Sequence, residues 1–297
     1  MPNARQAWLF AAITVALWST VATAFELGLR VLSPAALLAG ANVVAVVALA
    51  VITTARGGLR DALRLTPRNH LRALAMGLLN PALYYLVLFE AYDRLPGQVA
   101  QPLNYTWAIT LSLLAVPFLG QRLGRGELLA MIIAWCGVAV IATGGELTGL
   151  SVDDPVGIAL ALGSTLIWSA YWLLATRDPR EPVGALLVNF TYALPFTVAI
   201  AVVAGGRFEA GLLAWGTMVW VGLAEMAVSF VLWLLAMQRA RSTAAISSLI
   251  FVSPFLSLLL LSSVAGETIR PATPVGLALI VVGIGLQQRL RPTTADP

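Results

Sequence analysis

The chain is built almost entirely from uncharged apolar runs, each long enough to cross a lipid bilayer. A hydrocarbon core of about 30 Å requires roughly 20 such residues per helix. Ten runs meet that length, near 7–31, 33–55, 70–92, 97–118, 126–144, 155–175, 182–204, 212–236, 243–263 and 273–289. Only 11% of the 297 residues are charged, under half of the roughly 25% found in soluble domains. The runs are too long and too uniform for the alternating strands of a membrane barrel. The expectation is an all-α membrane protein of ten transmembrane helices, with both faces of the bilayer joined by short loops.

The cations orient the chain. All 18 basic residues are arginine. With the N-terminus inside, Arg5, Arg56, Arg60, Arg64, Arg68, Arg72, Arg122, Arg125, Arg177, Arg180, Arg239, Arg241, Arg289 and Arg291 fall on the inner face. Arg30, Arg94, Arg207 and Arg270 fall outside, as does the acidic loop with Glu146, Asp153 and Asp154. That bias places both termini in the cytoplasm. The net charge of +4 is thereby explained by topology and calls for no nucleic acid. One histidine, His70, and one cysteine, Cys136, cannot build a metal site, and no cofactor is expected. Cys136 reads as a packed residue inside its helix and His70 as a solvated helix start. The first segment reads as a retained helix rather than a cleaved leader.

The chain repeats itself. ALWSTVATAF in the first segment resembles LIWSAYWLLA in the sixth, with Trp18-Ser19 over Trp168-Ser169 at an offset of 150. EAYDR at 90–94 lies over LAMQR at 235–239, and Gly137 lies over Gly283. Residues 1–144 and 155–291 then form two five-helix units of one membrane domain. An odd number of helices per unit makes the second enter from the opposite side, the inverted architecture of many secondary transporters. Such a carrier is expected as a monomer with a central cavity near the midplane.

The paired Trp-Ser sites and the patterns Gly120-Gln121-Arg122-Leu123 and Gly266-Glu267-Thr268-Ile269 resemble the drug/metabolite transporter superfamily and its ten-helix EamA-type exporters. The Tyr- and Trp-bearing middle segments are most similar to bacterial aromatic amino-acid exporters. The resemblance covers nearly the whole chain. It implies export of amino acids or other small metabolites across the inner membrane, without fixing the substrate.

A carboxylate at mid-membrane costs about 2.5–3.5 kcal/mol on insertion scales. Glu26 and Glu90 each have an arginine four residues on, Arg30 and Arg94, and read as paired. Glu225 has no such neighbour, so it lines a polar cavity or makes a buried hydrogen bond. Subtracting 145 from Glu225 and Ser229 gives Asn80 and Tyr84, so two related segments carry polar i,i+4 pairs at one depth. Asn80 reads either as part of the site or as an interhelical bond. The fourth segment adds Gln101, Asn104 and Trp107, with Tyr105 beside them, and the sixth adds Trp168 and Trp172. Trp8, Trp215 and Trp233 read as interfacial belts; Trp18, Trp107 and Trp168 lie deep, as core packing or as cavity walls. Pro81, Pro102 and Pro254 are candidate gating kinks or static bends. Gly40, Gly137, Gly163, Gly276 and Gly283 read as close-packing sites.

No arginine is expected at mid-depth, which disfavours phosphate-bearing cargo. A small substrate with an amine for Glu225 and an apolar or aromatic body for the rings fits best, its carboxylate reading donors such as Asn80 or Asn104. The competing readings are a proton-coupled effluxer of cationic drugs, a non-transporting membrane scaffold, and a channel-like uniporter.

Overall fold

The computed structural model describes residues 4–120, 123–145, 154–239 and 248–290. Gln121, Arg122, Glu146, Asp153, Arg241 and Arg291, which entered the sequence reading, lie outside the described residues. Among the described residues there is no strand, only an isolated bridge between Leu32 and Phe208.

The helices are α1 (Ala4–Leu29), α2 (Pro34–Ala55), the short α3 (Leu59–Leu63), α4 (Pro67–Gly77), α5 (Tyr84–Arg94), α6 (Gly97–Tyr105), α7 (Trp107–Leu119) and α8 (Arg125–Ala142). After them come α9 (Pro155–Ala175), α10 (Pro182–Ala204), α11 (Leu212–Trp220), α12 (Val228–Arg239), α13 (Ser253–Ser263) and α14 (Ala272–Leu290). A π-helical segment, Leu78–Leu83, joins α4 to α5, and another, Val221–Glu225, joins α11 to α12. Among the described residues, eight helical stretches, counting these two joined pairs as one each, are long and apolar enough to cross a membrane.

Two expected spans differ. The run at 97–118 is not one rod: it breaks at Thr106 (φ −68°, ψ −2°) into α6 and α7. Pro102, inside α6, withholds one helical N–H donor just before the break. In the run expected at 243–263, the described part is a 3₁₀ turn, Ser248–Val252, followed by α13. Eleven residues span only about 16 Å at ~1.5 Å each. Pro254 sits in the first turn of α13, where its missing N–H has no helical partner to lose; it starts a helix rather than kinking one.

Starts are set by side chains. Ser33, Thr66, Asp154 and Glu181 each accept an N–H from the first turn of the helix that follows, and each is followed by proline. This is the arrangement that satisfies otherwise orphaned donors. The Gly157 N–H, with Arg94 beside it, holds the Asp154 carboxyl below the usual carboxylate range.

The bundle pairs α2 with α10 and α8 with α14, while α1 packs on α12 and α13, and α9 packs on α5, α6 and α7. The α8–α14 contact is close because glycines face it. A Cβ on Gly283 would come within 2.6 Å of the Ala130 carbonyl, and one on Gly137 within 2.4 Å of the Gly276 carbonyl. Gly163 faces open space instead of a neighbour. Cys136 is exposed on the outer face of α8, not packed, because the glycine face of that helix is the one turned inward.

Charge pairing departs from the simple i,i+4 scheme. Arg30 pairs with Glu26 at 3.6 Å, but Arg94 reaches Asp154 at 3.5 Å rather than Glu90. Between α9 and α10, Arg180 chelates Asp178 (2.6 Å) and donates to Asn189 (2.9 Å), and Arg72 stands at 3.8 Å. The Asp178 and Arg180 side chains are only 8% and 9% exposed. Burial alone would raise the Asp178 carboxyl; the Arg180 guanidinium and N–H more than offset it and hold it low.

Two outcomes are expected. Gly283→Leu should cost about 1–3 kcal/mol by overpacking against a backbone that cannot yield, read as a lower unfolding midpoint in detergent. Asp178→Asn should lower the midpoint at neutral pH. Because the folded carboxyl is depressed, the stabilisation is present above its unfolded pKa, so the gap to the parent should close as pH falls below about 4.

Candidate functional site

A cavity of about 470 Å³ opens inside the bundle. Its mouth is at the C-terminal ends of α9 and α14, marked by the exposed Thr176 and Gln288. Its floor is apolar, with Phe25, Leu88 and Tyr92 all buried.

Glu225 lies in the wall. It is the last residue of the second π segment, where the Met226 N–H reaches back to the Val221 carbonyl rather than to residue 222. The wider turn moves Glu225 off the phase of a regular helix. The Tyr85 hydroxyl donates to Glu225 Oε1 at 3.0 Å. The Ser229 hydroxyl donates to the Glu225 main-chain carbonyl at 2.8 Å, a local bond that steadies the junction into α12.

Rings make up the rest of the wall. Tyr84 stacks on Trp168 (centroids 4.5 Å, planes at 28°), and Phe230 lies against both Trp168 and Trp172. Trp18 packs on Trp233 at 5.4 Å. Trp233 is therefore a cavity residue, not the interfacial belt residue its place near a helix end implied, whereas Trp8 and Trp215 are exposed.

The polar groups at this level bond mainly to one another. Tyr84 donates to Asn104 Oδ1 (3.4 Å), Asn104 Nδ2 donates to Ser164 (2.9 Å), and Tyr105 donates to Ser253 (3.0 Å). The Trp172 indole N–H has no partner. Among the described lining residues, Glu225 is the one acidic side chain and none is basic.

Of the residues singled out from the sequence, Tyr84, Gln101, Asn104, Trp107, Trp168, Trp172 and Glu225 line this one cavity. Asn80 and Ser229 do not: both are fully buried behind the wall. Asn80 departs from helical geometry (φ −144°, ψ 115°), next to a cis peptide to Pro81, so the i,i+4 relation to Tyr84 fails. The Asn104 carboxamide lines the cavity while bonding to Tyr84 and Ser164, whereas Asn80 is buried behind the wall. Tyr85 was missed: it follows Tyr84 in α5, off the i,i+4 face that the sequence pointed to, yet its hydroxyl is the one that reaches Glu225.

Tyr85→Phe removes the hydroxyl bonded to the half-buried Glu225 carboxylate. A loss of about 1.5–3 kcal/mol is expected for such a charge-assisted bond, measured as a lower thermal midpoint that Glu225→Gln, by removing the charge, largely cancels.

Known proteins share this plan. The profile of the EamA-like transporter family matches residues 6–143 and 155–287. A probable terminal-alkyne amino-acid exporter of Streptantibioticus cattleyicolor is 28% identical over 279 residues, which cover 93% of this chain and 91% of that protein. An uncharacterized transporter of Archaeoglobus fulgidus is 24% identical over 290 residues, 96% and 99% of the two chains. A crystal structure at 21% identity superposes with a TM-score of 0.68 over 99% of this chain and 100% of its own, a likeness of fold. The chain is a multi-pass membrane protein that belongs to the EamA-like transporter family.

Proposed function

We propose that the chain is a secondary transporter that exports amino acids, aromatic or otherwise apolar, and related small metabolites across the bacterial cytoplasmic membrane by alternating access. The observation that carries this reading is the cavity's composition: a single carboxylate, Glu225, set among stacked rings, with no basic side chain among the described lining residues. An ammonium group finds its counter-charge at Glu225. An apolar or aromatic body finds Trp107, Trp168 and Trp172, whose faces also attract cations. A phosphate would find no cation to pair with. The volume, about 470 Å³, lies in the range of small-ligand sites. The exporter relative named above adds weight to amino-acid cargo.

The inverted ten-helix plan belongs to the same proposal. Exchange α1 with α9, α2 with α10, α5 with α12, α6 and α7 with α13, and α8 with α14. The main helix-packing partners above then map onto one another. A carrier with that symmetry turns its cavity from one face to the other by exchanging the conformations of its halves. With both termini cytoplasmic, as the arginines favour, the mouth beside Thr176 and Gln288 faces the cytoplasm, ready to load cargo for export. The proposed working unit is one chain, which encloses the cavity by itself.

A second reading, efflux of cationic drugs, draws on the same lone carboxylate. Uptake into everted vesicles, run over a panel of amino acids, nucleobases and cationic dyes, separates them. Aromatic or apolar amino acids are expected to be carried and to compete with one another. Glu225→Gln should cut their transport about 30-fold or more, the cost of stranding one partner of a desolvated charge pair. Trp107→Ala should raise KM several-fold. Unchanged amino-acid uptake in folded Glu225→Gln would sink the reading, and uptake of dyes alone would move it to the second.

A further inference from the structure

Toward the end of the cavity opposite its mouth lies a group of polar contacts whose residues line no part of it. Helix α6 begins after Pro96, which offers its first turn no side-chain cap. The cap comes from elsewhere in the chain. Glu267 Oε1 accepts the Gly97 N–H at 2.7 Å and Oε2 accepts the Gln98 N–H at 3.1 Å, across 170 and 169 residues of sequence. The reverse contacts come from Gln98. Its Nε2 donates to the Thr268 carbonyl (2.9 Å), and its Oε1 accepts the Arg270 N–H (2.8 Å) and the Thr273 hydroxyl (3.1 Å). A carboxylate at a helix start also meets the positive end of the helix dipole.

The backbone is cut to fit this contact. Gly266 has φ +76°, a conformation that a residue with a Cβ adopts at a cost, and it turns Glu267 toward α6. A Cβ on Gly97 would come within 2.8 Å of Leu261 and 3.0 Å of Glu267 Oε1. The same loop is tied to α1: Arg30 donates to the Ala265 carbonyl at 2.6 Å while pairing with Glu26. Glu26 also lies beside Glu267.

The capped helix is also a wall of the cavity. Nine residues long, α6 carries Gly97 and Gln98 at one end and Gln101 and Asn104 on the wall one to two turns later. It is separated from α7 by the break at Thr106. Cargo pressed against Gln101 and Asn104 therefore acts on the same short rod that Glu267 holds.

We propose that Glu267 and Gln98 are a latch: they hold α6 over the far end of the cavity and must let go for the carrier to open there. The proposal rests on the two-sided carrier reading above and is independent of what the cargo is. Glu267 and Gln98 are positioning residues that touch no substrate.

The test places a reporter cysteine, Ala22→Cys, on the cavity wall in a Cys136→Ala background and labels it with a membrane-impermeant maleimide. Right-side-out and everted vesicles expose the two faces separately. In the parent, labelling is expected to be dominated by the mouth face. Glu267→Ala and Gln98→Ala should each raise labelling from the opposite face about tenfold relative to the mouth face, the factor that losing the α6 cap or the Gln98 side-chain hydrogen bonds corresponds to. Glu267→Gln, which keeps the shape and one acceptor oxygen, should give an intermediate ratio and serves where Glu267→Ala does not fold. An unchanged two-face ratio in the folded variants overturns the latch. Labelling needs no cargo, so this result stands apart from the amino-acid panel.

Discussion

Inside a bilayer no water is available for a main-chain N–H or carbonyl that leaves its helix. Helix breaks at that depth are therefore confined to places where protein or a wet cavity can receive the freed groups. Among the described residues, long apolar runs are broken at Leu78–Leu83, at Thr106 and at Val221–Glu225. Several of the side chains that give the cavity its polar chemistry sit at or beside those breaks. Tyr84 and Tyr85 follow the first, Asn104, Tyr105 and Trp107 flank the second, and Glu225 ends the third. Irregular backbone and functional side chains thus occur together because the cavity is what makes both tolerable.

The scaffold answers the opposite demand. Where helices face each other away from the cavity, contact is made through small residues. At α8 and α14, backbone meets backbone at Gly137, Gly276 and Gly283. Polar and charged groups are concentrated at the helix ends, as caps and as the Asp178–Arg180–Asn189 cluster. Large apolar side chains such as Leu129, Ile132 and Val202 are left on the outside, as a lipid-facing surface requires. The result is a rigid frame around a wall of short, broken pieces.

The frame was legible in the sequence, because apolar run length follows directly from bilayer thickness. Eight of the ten runs appear as full-length helical stretches within a few residues of their expected bounds. The site was legible in kind, since a lone mid-segment carboxylate and deep tryptophans are costly unless they face a cavity. It was not legible in register. An i,i+4 rule presumes a continuous helix, and the π segments cancel that presumption over the stretch where Asn80 and Tyr84 were to be aligned. Asn80 leaves helical geometry within the first π segment and is buried behind the wall, and the hydroxyl that meets Glu225 belongs to Tyr85. Trp233 misled for a related reason. A place near the end of a run says little about depth when the run is broken in its middle.

The division of the aromatic residues has a spectroscopic consequence. Trp18, Trp107, Trp168, Trp172 and Trp233 line the cavity, while Trp8, Trp135, Trp215 and Trp220 are exposed on the outside. The intrinsic emission of the protein is thus the sum of an inner and an outer population. Brominated acyl chains quench the outer one from the lipid, and what remains is a label-free signal from the chamber that an occupant would fill.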